Sequence, residues 1–255
     1  MPDHDRDLAA AFDGQAAKFE RAPVQSDPKA LARLVAFAGV PGGSRVLDVG
    51  CGPGLVSEAF LAAGCAVAGV DLSAEMVARA RARCGRFGDR ATFAQGSVFG
   101  EVAGGPFDAV VSRYVLHHVQ DPQAFIDRQV ELLRPGGVLV LNDHATDPDP
   151  RRASHHERLE RLRDATHTRN LTGGGLVDLL AGSGLVDIRS VEEAFTLDFD
   201  EWFDRGTPAA PKAEVRAALL EGPRVRGFLA ALLDDGSVRI DCVRALVKGT
   251  RSGGE

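Results

Sequence analysis

From Arg45 onward the chain alternates short apolar runs with amphipathic stretches. "RVLDVG", "CAVAGVD", "ATFAQG", "FDAVVSR" and "GVLVLND" are apolar on both faces and predict buried strands, whereas "LVSEAFLAAG", "SAEMVARARARCG" and "DPQAFIDRQVELLRPGG" carry the helical period. Strands of this kind need cover on both sides, so the alternation predicts an α/β fold built on a doubly wound, mostly parallel Rossmann-like sheet. Ahead of it, "AAFDGQAAKFERAP" spaces Phe12, Ala16 and Phe19 along one helix face, Pro23 and Pro28 bracket a turn, and "KALARLVAFAG" predicts a helix ending at Gly39. Beyond Asp143 come a proline-rich turn with a charged helix (144–170) and "LTGGGLVDLLAGSGL", a helix capped by Thr172 and stopped at Gly182 or Gly184. The strand "VDIRSVEEAFTL", a helical insertion at 199–233 and a last strand, "SVRIDCVRALVKG", follow; "RSGGE" reads as a frayed tail. The expected organisation is an N-terminal helical segment (1–40), a core (41–143), a segment 144–171, and a C-terminal part (172–255) of the same domain.

A chain of 255 residues is long enough for one large domain with a buried core. The net charge of −6 argues against a general nucleic-acid binder, which needs a basic face. Arginine outnumbers lysine 26 to 4, a sign of GC-rich coding bias, so arginine richness by itself says little about anion binding. The four cysteines form no CxxC pair and no Cys or His falls at zinc-ligand spacing, which predicts reduced thiols, no metal site and a cytoplasmic protein. No basic and apolar leader opens the sequence and no run of eighteen apolar residues occurs, so no membrane association is expected.

The first strand ends in "VLDVGCGPG", Val46–Gly54. A triphosphate loop would read GxxxxGK, yet no lysine stands between Lys29 and Lys212; the dinucleotide fingerprint GxGxxG would need glycine at 55, where Leu55 stands. The spacing is GxGxG, which bares the backbone over the strand ends and lets a bulky ligand reach the following helix N-terminus. Cys51 reads as a small filler. Asp71 closes the second strand, where a carboxylate accepts from both hydroxyls of a ribose; it also suits a cap for the helix starting at Ser73, and the two roles are compatible.

"VLDVGCGPG", "VAGVDLSAEMVARAR", "FAQGS", "FDAVVSRYVLHHV" and "LLRPGGVLVLND", in this order, resemble the successive motifs of class I S-adenosylmethionine-dependent methyltransferases. Over roughly residues 8–190 the chain is similar to the small-molecule branch that includes the ubiquinone and menaquinone biosynthesis enzymes. The resemblance implies seven mostly parallel strands with an antiparallel terminal hairpin, and makes 1–40 a helical lid and 144–171 a substrate lid segment. It implies S-adenosylmethionine as donor and S-adenosylhomocysteine as product. By position, Asp48, Gly50, Cys51, Gly52 and Gly54 would surround the methionine moiety, Asp71 the ribose, and Leu72 and Met76 the adenine. Gly96, Ser97 and Val98 occupy the turn where the family has "GDA", so a neutral Ser97 replaces a charged acceptor. Phe19 stands where the lid often carries a tyrosine.

Methyl transfer from a sulfonium is an in-line displacement that depends on positioning and exclusion of water, with a base needed only where the acceptor loses a proton. Ser112 and Arg113 are expected at the donor's carboxylate end. Tyr114, the one tyrosine, and His118 are the candidate catalytic groups, with His117 beside the acceptor; the histidines equally suit packing beneath the lid. "RDATHTRN" resembles a run common in the substrate lid, which makes Asp164, His167 and Arg169 acceptor-pocket candidates, while a plain surface helix explains them as well. Glu157 and Arg161 have the spacing of a solvated helix pair. Phe199, Trp202 and Phe203 have the helical spacing of core residues. The expected partner is a small aromatic or quinone-like acceptor, the expected assembly a monomer or homodimer, and the coding bias fits bacterial secondary metabolism. Two alternatives stay open: a same-fold enzyme that uses the bound donor without methyl transfer, and a catalytically silent donor-binding subunit.

Overall fold

The computed structural model describes residues 3–253. In chain order its elements are α1 (Asp3–Arg21), α2 (Pro23–Ser26), α3 (Pro28–Ala38), β1 (Arg45–Val49), α4 (Leu55–Ala62), β2 (Ala66–Asp71), α5 (Ala74–Cys84), β3 (Ala91–Gln95), β4 (Phe107–Arg113) and α6 (Pro122–Leu132). They continue with β5 (Leu133–His144), α7 (Pro150–Arg163), α8 (Gly173–Gly182), β6 (Leu185–Asp198), α9 (Phe199–Asp204), α10 (Lys212–Glu221), β7 (Phe228–Leu232) and β8 (Val238–Arg251).

The sheet runs β3-β2-β1-β4-β5-β8-β6. The first five strands are parallel, and β8 lies antiparallel between β5 and β6. Alternate residues of one strand feed opposite cores. Val46 joins Phe60, Val77 and Leu34 beneath α3, α4 and α5, whereas its neighbour Leu47 joins Phe125, Ile126, Leu176 and Leu180 beneath α6 and α8. Strand order reverses between β1 and β4, so their C-terminal ends open a crevice.

The segment 199–233 holds more than helices. Phe228–Leu232 forms β7, an eighth strand paired with the outer half of β8, and a turn at residues 233–237 joins the two. The run "FLAAL" is short, and β8 supplies the partner edge that makes it a strand. A third core of Phe199, Trp202, Phe203, Val215 and Leu219 fills this insertion, in keeping with their spacing. Arg251, expected in the tail, instead ends β8, and its guanidinium donates to the carbonyls of Val130, Glu131 and Leu133. Of the rest of the expected tail, Ser252 and Gly253 follow exposed and outside any element, and Gly254 and Glu255 lie outside the described residues.

Candidate active site

The turn between β1 and α4 is tied to β2, because the amides of Gly50 and Cys51 both donate to the Val70 carbonyl (2.8 and 3.0 Å). Its glycines are not equivalent. Gly52 has φ +52° and no atom within 4 Å of where a Cβ would stand, so it leaves bare backbone facing open space. Gly54 has φ +83° and a Cβ there would lie 3.0 Å from the Ala80 Cα; it lets α4 pack against α5 and does not line the cavity. A Gly54→Ala variant is therefore expected to lose about 2–4 kcal/mol of stability through left-handed strain and overpacking. Its melting temperature should fall while ligand affinity of the surviving folded protein holds.

Asp71 clamps the same turn. One carboxylate oxygen accepts from the Gly52 amide (2.8 Å) and the other from the Ser73 amide (2.9 Å), which leaves each with further acceptor capacity on a residue that lines the cavity. Ser73 itself caps α5 and donates through Oγ to Asp13 of α1 (2.5 Å). Asp48, 1 % exposed, accepts from Ser57 Oγ (2.6 Å). Burial, reinforced by the charge of Asp71 and opposed by Ser57, pushes its pKa up to about 7. Burial likewise raises Asp71, and burial beside both carboxylates keeps Cys51 a thiol.

These residues floor a cavity of about 320 Å³. Asp48, Gly50, Cys51, Gly52, Asp71, Leu72, Met76, Gly96, Ser97, Val98 and Arg113 line it, together with Phe19, Tyr114 and His118. Ser112 does not: it is buried within β4. Ser97 Oγ is engaged by the Phe99 amide (3.3 Å). Arg113 is a buried guanidinium whose partners are the Val24 and Gln25 carbonyls (2.8 and 2.9 Å) and Asn142 Oδ1 (3.2 Å). Among the described residues it makes no ion pair, which leaves its charge available to an anionic group in the cavity.

The roof is α1, whose His4, Asp5, Leu8 and Phe12 face the cavity and were not singled out for it in the sequence. The spacing of Phe12 and Phe19 marked this face, though not what it covers. Glu20 pins α1 to α5 through Arg79 and Arg83 (2.7 Å each), and Gln15 donates to Thr207 Oγ1 (2.6 Å).

Tyr114 leaves β4 with φ +59°, its hydroxyl accepting from Arg244 (3.0 Å) and its ring stacked on His144 (4.7 Å between centroids). His118 meets Thr166 at Nδ1 (3.2 Å), and burial with two histidine neighbours holds its pKa well below the ordinary value. His117 lies off the cavity with Nδ1 2.6 Å from Asp143 Oδ1. The "RDATHTRN" residues do not reach the cavity either. Asp164 accepts from Thr166, His167 pairs with Glu157 (2.9 Å), Arg169 is exposed, and Thr168 holds the His117 carbonyl (2.8 Å). The segment buttresses the histidine turn from behind. Glu157 is buried on His167 and the Asn170 amide, so it is more than the solvated partner of Arg161.

A glycine turn, an acid at the end of the second strand and a cavity over the switch point form a consistent set, and residues 24–190 match the family model described as "Methyltransferase domain". The chain belongs to this family. The methyltransferase is similar to a ubiquinone biosynthesis O-methyltransferase of Xanthomonas axonopodis pv. citri (strain 306), 43% identical over 104 residues, or 40% of this chain and 44% of that protein. It thus spans under half the length of such curated relatives. Among solved structures it resembles the YcgJ protein of Bacillus subtilis (TM-score 0.78, 25% identity, covering 88% of this chain and 98% of that one). A putative methyltransferase of Bacillus halodurans C-125 gives TM-score 0.75 at 24% identity, covering 87% and 98%. The fold is that of class I S-adenosylmethionine-dependent methyltransferases, and the cavity suits this donor: free acceptor lone pairs on Asp71, buried carboxylate at Asp48 for a cation, and an unpaired guanidinium at Arg113 for a carboxylate. Among the described residues no cluster of three or more His, Cys, Asp or Glu could hold a metal ion, and no helix is long and apolar enough to cross a membrane.

Proposed function

We propose that this methyltransferase methylates a hydroxyl of a small, ring-containing acceptor of phenol or quinol type. The observation that carries the reading is the aromatic lining of the cavity, where Phe12 of α1 packs edge-on against Phe19 and against His118, and Tyr114 lines the same space. Flat rings pack against such walls, and the roof keeps bulk water away from the reacting atoms. The partial similarity to ubiquinone biosynthesis O-methyltransferases supports a hydroxyl as the accepting group.

In this reading Asp71 holds the ribose, Leu72, Met76 and Val98 enclose the adenine, Asp48 faces the cationic portion and Arg113 the carboxylate end of the donor. Bound there, S-adenosylmethionine supplies a methyl group activated by its sulfonium. The protein contributes position, a dry site and charge complementarity.

Calorimetry should show binding of S-adenosylmethionine and S-adenosylhomocysteine, and incubation with labelled donor and a panel of phenols, quinols and amines should label the hydroxyl compounds. Binding without labelling of any panel member would sink the acceptor assignment; no binding of either nucleoside would sink the donor seat.

A further inference from the structure

We propose that the donor seat selects the purine by its flat faces and leaves the 6-amino group almost unread, and that Ser97 is the residue that sets this tolerance. The ligand class is then wider than the adenine nucleosides: it takes in S-nucleosyl compounds whose purine lacks the 6-amino group. The inference rests on the donor placement above and concerns only how the base of that donor is chosen.

Selecting a 6-amino purine requires an acceptor fixed beside the edge of the base, because the amino group is a donor. A carboxylate does this strongly and a neutral hydroxyl weakly. The part of the cavity assigned to the base is bounded by Leu72 and Met76, which follow β2, and by Val98 and Phe99 in the turn after β3. All four are apolar, and Met76 and Val98 are buried. Four carboxylates line the whole cavity among the described residues, and each is committed elsewhere. Asp48 and Asp71 stand at the C-terminal ends of β1 and β2, and Asp5 lies on the roof helix α1. Exposed Asp121 caps α6, with its Oδ1 taken by the Ala124 amide (3.0 Å).

The turn after β3 therefore offers one polar side chain, Ser97. Its Oγ already accepts from the Phe99 amide (3.3 Å), and the residue is only partly buried, so a base that gives it no partner leaves no desolvated group behind. The backbone adds little. The Ser97 carbonyl accepts from the Gly100 amide (3.0 Å), and Arg128 of α6 donates to the carbonyls of Val98 (3.0 Å) and Gly100 (3.2 Å). Phe99 supplies what the polar groups do not. It lines the cavity with 55 % of its surface exposed, apolar area that a purine covers whatever stands at its 6-position.

Losing a hydrogen bond to a neutral group weakens binding about two- to tenfold, and losing one to a charged group about ten- to a hundredfold. These ranges separate the two kinds of seat. Calorimetry on the full chain reads them without turnover, using S-adenosylhomocysteine and its analogue with unsubstituted purine as the base. Wild type should bind the two within about tenfold of each other. Ser97→Asp, which keeps an acceptor for the Phe99 amide, should tighten S-adenosylhomocysteine and open a gap of about ten- to a hundredfold against the analogue. Phe99→Ala should weaken both ligands by the same factor, about fivefold or more.

A hundredfold loss on the analogue in wild type would overturn the proposal, and its disappearance in Asp121→Ala would identify the α6 cap as the group that reads the amino group. A Ser97→Asp variant that binds both ligands as wild type does would also overturn it, by removing Ser97 as the determinant. Failure of wild type to bind S-adenosylhomocysteine at all would instead overturn the donor seat beneath it.

Discussion

Asp71→Ala is expected to weaken binding of S-adenosylmethionine and S-adenosylhomocysteine by about a hundred- to a thousandfold. Each oxygen of this carboxylate already accepts one amide, from Gly52 and from Ser73, and keeps acceptor capacity for a second partner on a residue that lines the cavity. Hydrogen bonds to a charged group contribute about 1.5–3 kcal/mol each, and two lost together at the lower end of that range come to about 3–4 kcal/mol, or two to three decades in Kd. The same change also unclamps the glycine turn from the start of α5, so a lower melting temperature accompanies it. Asp71→Asn separates the two effects. Asparagine keeps one accepting oxygen but turns a donor toward an amide that is itself a donor, so it should sit between wild type and alanine in affinity. Calorimetry with the product nucleoside reads this directly, and unchanged affinity in the alanine variant would remove Asp71 from the ribose seat.

The donor side of the cavity was legible in the sequence because it depends on local backbone. Three glycines at alternate positions declare a left-handed turn wherever the chain goes, and Asp71 ends the neighbouring parallel strand, whose register brings Asp48 beside Gly69. The histidine turn behind the cavity depends on pairings far apart in the chain. Asp143 and His117 are 26 residues apart and meet only because β4 and β5 are parallel neighbours, paired Arg113 to Asn142, so their C-terminal ends emerge side by side. That adjacency follows from strand order, and strand order was expected; the carboxylate one residue beyond "VLVLN" was the signal available. The cavity face of α1 and the strand β7 had no comparable signal. His4, Asp5 and Leu8 acquire a role only once Glu20 and Asp13 dock the helix, and "FLAAL" becomes a strand only beside β8.

Asp48→Asn is expected to stabilise the unliganded enzyme and to cripple its donor binding, with opposite pH dependences. With its pKa pushed up to about 7, folded Asp48 holds a proton that the unfolded chain, near 3.8, gives up. The stability linked to this group is therefore complete below pH 3.8 and is lost as pH rises through about 7, by something on the order of 4 kcal/mol. Asparagine keeps an acceptor for Ser57 and carries no charge to bury, so the variant should melt several degrees above wild type at pH 8 and gain less than half as much at pH 5. The donor reverses the sign. A cation bound beside Asp48 favours the ionised form, so wild-type affinity should fall by about tenfold per unit as pH drops below 7. In Asp48→Asn the part of that slope due to Asp48 should vanish and affinity at pH 8 should fall about a hundredfold, the scale of one ion pair in a partly screened interior. Asp71, also raised by burial, adds to the wild-type slope and remains in the variant, which makes the difference between the two proteins the quantity to measure. Melting curves and calorimetric titrations at pH 5, 6, 7 and 8 on both proteins test the pair of effects. A variant that loses stability at pH 8, or binds the donor as tightly as wild type, would mean that Asp48 serves the fold and not the cation.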